Sequence, residues 1–216
     1  MNINIETRLY GSFSLKSGNN GNIFFNTYFE KYNVNAIYKA FSIDNIELAV
    51  KSARLLNFGG FAISMPFKKE VLQYIDEISD EVKIINACNT VVNNGNGKLI
   101  AYNTDYLAIK TVLSEYIINE LIILGNGGLA RTAYYASDEL DINYRVIKRS
   151  NWNDISSLKN KVILNCTPVT NIKFDLSNIF IDTLPTTDMG KKIHRIQAKE
   201  QFYLYTGIKI EENVND

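Results

Sequence analysis

Short runs of β-branched, aromatic and aliphatic residues alternate with amphipathic stretches of helix length along almost the whole chain, and this alternation restricts the fold more than any other feature. Strand, helix and strand in repeated succession mark βαβ units, which build largely parallel sheets covered by helices. Strands are expected near residues 8–12, 36–42, 61–64, 90–93, 98–102, 121–124, 144–148, 161–165 and 179–184. Helices are expected near 23–32, 43–57, 67–78, 106–116, 129–140 and 189–205. Asp44 stands where a side chain would cap the second helix, and Gly207 where a C′ residue would end the last. Asn94-Gly95-Asn96-Gly97 sits between two strand runs, and its Asn-Gly pairs favour the positive φ of a hairpin.

The 216 residues suffice for two small lobes with real cores. Lysine plus arginine and aspartate plus glutamate are both 23, so no basic excess is available to hold a nucleic-acid backbone. No apolar run approaches the length of a membrane span, and the stretch from Met1 to Tyr10 lacks a basic-then-apolar leader, so a cytoplasmic protein is expected. Cys88 and Cys166 lie far apart in apolar segments and read as buried free thiols. His194 is the single histidine, in a solvated helix among basic residues, and no ligand spacing points to a metal.

Three short motifs carry chemistry. Ser64-Met65-Pro66-Phe67-Lys68 places a lysine just past a strand end, since Pro66 keeps Met65 extended and suits the first turn of a following helix. Asn89-Thr90-Val91 and Asn103-Thr104-Asp105 add amides, hydroxyls and a carboxylate, groups that both donate and accept and so suit a polyhydroxylated ligand. Farther on, Leu121-Ile122-Ile123-Leu124 enters Gly125-Asn126-Gly127-Gly128-Leu129-Ala130-Arg131, a strand, turn and helix start of the kind that cradles a dinucleotide pyrophosphate. The third glycine position of that fingerprint is Ala130.

In order and spacing these motifs resemble the shikimate dehydrogenase family, nearest its shikimate dehydrogenase-like branch, from about Gly11 to Gly207. The resemblance implies an α/β protein of two lobes: a substrate domain over 1–105, completed by the helix of 189–216, and a trimmed Rossmann-like NADP-binding domain over 106–188. It implies Lys68 and Asp105 flanking the hydroxyl that is oxidised, with Asn89, Ser64 and Gln197 contacting the ring substituents. Ser12 and Ser14 are matched loosely to serines that hold the substrate carboxylate, and Ser17 competes with them. A carboxylate beside a lysine stabilises its ammonium form, so Lys68 is read as stabilising the developing alkoxide and relaying its proton, with Asp105 binding the hydroxyl and orienting the lysine.

The cofactor side is implied to use Gly125, Gly127, Gly128, Leu129 and Ala130 at the pyrophosphate, and Thr167 beside the nicotinamide. Where an NAD enzyme presents an acid to the ribose, Lys148-Arg149-Ser150 offers two cations and a hydroxyl, which suit the 2′-phosphate of NADP. Departures from the family concentrate here. Thr170 and Asn171 stand where Gly-Met is expected, Pro185 replaces a tyrosine, and Asp182 is followed too soon by Gly190 for the usual helix and strand. The expected function is NADP-dependent interconversion of shikimate and 3-dehydroshikimate or a related cyclic hydroxy acid. A relative that binds such a ligand without turnover is the main alternative, and an NAD-dependent quinate dehydrogenase is disfavoured by Lys148 and Arg149. Apolar surface left by the shortened lobe favours a homodimer.

Overall fold

The computed structural model describes residues 3–211; the expected helix segment to 216 and its frayed tail fall partly on 212–216, outside the described residues. The chain divides into two compact units, one formed by residues up to Thr104 with those from Ala198 onward, the other by Asp105–Gln197.

The first unit is built on a six-stranded sheet of β1 (Arg8–Ser14), β2 (Ala36–Ser42), β3 (Gly60–Ile63), β4 (Glu77–Ile78), β5 (Thr90–Asn93) and β6 (Leu99–Tyr102), in the order β2-β1-β3-β5-β6-β4. β1 pairs parallel with β2 and β3, β5 runs antiparallel to β3 and β6, and β4 joins β6 in parallel. Side chains alternate across a strand. Phe13, Phe61, Ile63, Val91 and Leu99 therefore share one face with α2 (Ile46–Leu55), and Tyr10, Ala36 and Tyr38 share the other with Phe25 and Phe29 of α1 (Asn20–Lys31). Phe202 and Tyr205 of the last helix also pack on that second face. The hairpin between β5 and β6 turns through Gly95 and Gly97, both at positive φ.

Three local expectations are corrected. The helix expected over 67–78 is a turn, a 3-10 segment at Glu70–Tyr74 and the short strand β4, followed by α3 (Asp80–Ile85). Its failure has a nonlocal cause: the Lys68 carbonyl, needed by a continuing α-helix, accepts a hydrogen bond from the Cys88 N–H, and Leu72 bonds back only to Lys69. Lys68 accordingly lies in the turn rather than in a helix. The cap of α2 is Asn45, whose side chain accepts from the Leu48 N–H, not Asp44.

The second unit is a wholly parallel four-stranded sheet of β7 (Leu121–Leu124), β8 (Tyr144–Ile147), β9 (Val162–Asn165) and β10 (Ile179–Asp182), in the order β10-β9-β7-β8. All four residues of β7 are buried, as a central parallel strand requires. One face is covered by α4 (Thr104–Leu113), α5 (Gly128–Asp138) and the start of α6 (Asp188–Thr206). The other is covered without an α-helix: a 3-10 segment at Arg149–Ser157 supplies Ile155 and Trp152, and the loop before β10 adds Ile172 and Phe174. Gly190 lets α6 begin close to β10, since a Cβ there would stand 1.8 Å from the Leu184 carbonyl oxygen.

Candidate functional site

In the first unit the parallel register makes a polar end to the sheet. Ser12 pairs with Ala62, which pairs with Thr90, so Ser12 and Thr90 stand in one row on the face that carries Tyr10. Ser14 and Ser64 follow one step farther along, Ser64 donating its N–H to the Phe13 carbonyl. Three predicted hydroxyls, Ser12, Ser14 and Ser64, are thus brought to one face at the C-terminal ends of adjacent strands, where open α/β sheets bind ligands. The Tyr38 side chain lies on the same face as Ser12, and burial pushes its hydroxyl pKa up. Ser17 donates its N–H to Ser42 Oγ at 3.0 Å and shares a hydroxyl contact with it at 2.9 Å.

The two Asn-Thr motifs are wired to each other. Asn89, 1 % exposed, accepts at Oδ1 from the Thr90 hydroxyl at 2.9 Å and the Thr104 N–H at 2.8 Å, and donates from Nδ2 to the Thr104 hydroxyl at 3.0 Å. Asn103 donates to the Ala87 carbonyl. Because Thr104 opens α4, Asn89 fixes the backbone immediately before Asp105, which lies in that helix's first turn. Gln201, also buried, donates to Thr90 Oγ1 at 2.8 Å and to the Asn89 carbonyl at 3.2 Å. Gln197 lies one helical turn before it, on the same side of α6, and half-buried. His194, one turn earlier still, is exposed.

The second unit contains a cleft of about 720 Å³ at the C-terminal ends of its strands. Gly125, Gly127, Lys148, Arg149, Ser150 and Thr167 all line it, so six of the predicted cofactor residues meet in one place. Gly125 has φ +110°, and a Cβ there would press on the Thr167 methyl at 2.9 Å; the turn therefore requires glycine. Gly127 and Gly128 face open space at the start of α5, leaving backbone N–H groups uncovered. Leu129 is half-buried, and Ala130 is fully buried in the core between α5 and the sheet, which makes it a packing residue. Thr167 is held by Asn165, whose Oδ1 accepts from its N–H and hydroxyl, while Asn165 Nδ2 donates to Asp182. Cys88 is buried as expected, but Cys166 is half-exposed and lines the cleft.

Residues 21–91 match the shikimate dehydrogenase substrate binding domain. A shikimate dehydrogenase-like protein of Haemophilus influenzae is 32 % identical over 94 % of this chain and 92 % of its own length. The chain belongs to the shikimate dehydrogenase family. That alignment runs over 251 positions, more than the chain has residues, so the relative carries segments absent here. A shikimate dehydrogenase (NADP(+)) of Clostridium beijerinckii is 32 % identical over 67 % of this chain and 61 % of that protein. Among solved structures, a shikimate 5-dehydrogenase-like protein is 29 % identical with a TM-score of 0.85, covering 97 % of this chain and 95 % of that one. The α/β fold expected of the family is therefore present, its second sheet having four strands.

The sequence reading passes over Gln201, Tyr38 and Trp152. Gln201 repeats Gln197 at helical spacing, a signal for one polar stripe; Tyr38 pairs in register with Tyr10; and Trp152 follows the cationic triplet into the same cleft. Among the described residues no group of three or more His, Cys, Asp or Glu could hold a metal ion, and no helix is long and apolar enough to cross a membrane.

Proposed function

We propose that this member of an oxidoreductase family acting on CH–OH groups is an NADP-dependent enzyme that interconverts shikimate and 3-dehydroshikimate or a closely related cyclic hydroxy acid. The observation that carries the reading is the cleft in which the glycine turn, Lys148, Arg149, Ser150 and Thr167 converge. Those residues fit the cofactor: uncovered N–H groups at the start of α5 suit a pyrophosphate, and two cations with a hydroxyl suit a 2′-phosphate. The NADP named in the Clostridium beijerinckii relative supports the same choice.

The glycine turn, Lys148, Arg149, Ser150 and Thr167 would hold NADP, which would supply hydride exchange with the ring carbon. Lys68 stabilises the oxygen of that carbon and passes its proton, Asp105 binds and orients the hydroxyl, and Ser12 and Ser14 hold the carboxylate. Ser64, Asn89 and Gln197 contact the remaining hydroxyls. Residues up to Thr104 with those from Ala198 onward serve as the substrate domain and Asp105–Gln197 as the dinucleotide domain, the expected boundary at 188 moving to Gln197 because the start of α6 packs on the second sheet. A cytoplasmic setting suits an enzyme with free thiols, and exposed Leu176 and Ile179 suit a homodimer.

A second reading, ligand binding without turnover, draws on the trimmed sheet and on Thr170 and Asn171, the latter at φ +57°. NADPH titration by calorimetry, followed by absorbance of the nicotinamide with shikimate or dehydroshikimate, tests both. Tight NADPH binding with turnover is expected. Shikimate stabilisation without cofactor binding would favour the second reading, and faster turnover with NAD on quinate would replace the first.

A further inference from the structure

Trp152 is the only tryptophan of the chain. It is half-buried in a specific way, packing on the cluster of Ile155, Leu158 and Ile163 while also lining the cleft. A tryptophan recruited only for the core would be covered by that cluster, whereas Trp152 stays partly exposed and lines the same space as Arg149 and Ser150. In a 2′-phosphorylated adenosine the base and the 2′-phosphate are carried on neighbouring ribose carbons. Groups that hold them must therefore be neighbours, and Trp152 lines the cleft three residues after Arg149, just past a kink at Asn151 in the 3-10 stretch. The kink is tied to the strand end by the Lys148 N–H, which donates to Asn151 Oδ1 at 2.8 Å, so the indole and the cations are carried on one short piece of chain.

We infer that Trp152 is the platform on which the adenine ring stacks, with Arg149 and Ser150 taking the adjoining 2′-phosphate. The inference rests on the cofactor reading above and adds to it a base-recognising residue. Aromatic stacking suits a purine because its large face is matched by the indole without any fixed hydrogen-bond pattern.

The test uses adenosine 2′,5′-bisphosphate, which has the base and both phosphates but no nicotinamide. Tryptophan fluorescence reports Trp152 alone, since there is no other. Saturable quenching by the bisphosphate is expected, with none from nicotinamide mononucleotide. By calorimetry, Trp152→Leu should weaken bisphosphate binding about ten-fold, and Trp152→Phe should retain most of it. Should Trp152→Leu fail to fold, wild-type quenching and Trp152→Phe decide the matter. Bisphosphate binding with unchanged fluorescence and unchanged affinity in the variants would place the adenine elsewhere while leaving the NADP reading intact. Calorimetry showing no binding of either the bisphosphate or NADPH would overturn both.

Discussion

In the first unit the hydroxyls and amides around Asn89, Thr90, Thr104 and Gln201 are bonded to one another, whereas in the second the glycine turn and cationic strand end face an open cleft. The contrast follows from the chemistry each face is suited to. A small polyhydroxylated ring is best met by donors and acceptors already oriented, because each loose side chain would have to be ordered on binding. Phosphates are recognised by charge and by exposed backbone N–H groups, which work best uncovered. The second unit covers one face of its sheet without an α-helix and presents its strand ends to the cleft.

The contrast can be broken most decisively at Lys68. Lys68→Ala should lower kcat about 10³-fold with a modest change in KM, a loss of about 4 kcal/mol in steady-state assays with NADPH. A change confined to KM would reduce Lys68 to a binding residue.

Gly190→Ala comes next. Its methyl would meet the Leu184 carbonyl, so the second unit should lose about 3 kcal/mol in urea unfolding. Wild-type stability would show that α6 can shift and that the trimmed unit is not held by this close approach.

Arg149→Ala should weaken NADPH binding about 30-fold and leave NADH binding nearly unchanged, as measured by calorimetry. Equal losses for both would assign Arg149 to the pyrophosphate or to packing. Gln201→Leu then probes the pre-bonded side: Thr90 Oγ1 and the Asn89 carbonyl lose their donor, costing about 1–2 kcal/mol in the first unit. No loss would mean that the network tolerates gaps.

The smallest effect concerns pH, and here the two units should agree. The Arg54 guanidinium and the Leu99 N–H hold the Asp76 carboxyl below its usual range in the first unit, and Lys161 does the same to Glu120 in the second. Each folded carboxyl is the stronger acid, so its contribution is complete above the ordinary unfolded value near ~4 and is lost as pH falls through the lower folded one. Both pairs are about one-third exposed, so Asp76→Asn or Glu120→Gln should each cost no more than about 1 kcal/mol near neutrality and flatten the acid limb of a stability curve.

Much of the architecture is legible where the signal is local. β2, β5 and β7 coincide with their runs of β-branched and apolar residues, and the glycine turn with its strand and helix. The stretch over 67–78 is misread because the Cys88 N–H that captures the Lys68 carbonyl is remote in sequence, and no periodicity reports it. Asp44 and Asn45 are both good caps; the choice falls to the residue beside Ile46, which is fully buried. In the cleft, the cationic triplet and the glycines could be found from their types and spacing, whereas Trp152 could not, since an aromatic residue after a strand is ordinarily core. Gln201 shares a polar stripe with Gln197, but a glutamine in a helix looks solvated until the strand beneath it is known to offer a hydroxyl and a carbonyl.

The chain passes out of the first unit after Thr104 and back into it at Ala198, part-way along α6. A ribosome delivers the N-terminal half first, so every residue of the intervening unit emerges before Phe202 and Tyr205. Until then Tyr10, Phe25 and Phe29 lack two of the aromatic rings that pack on them. The piece encoded in the middle can finish its own core during synthesis, whereas the piece begun first is finished last.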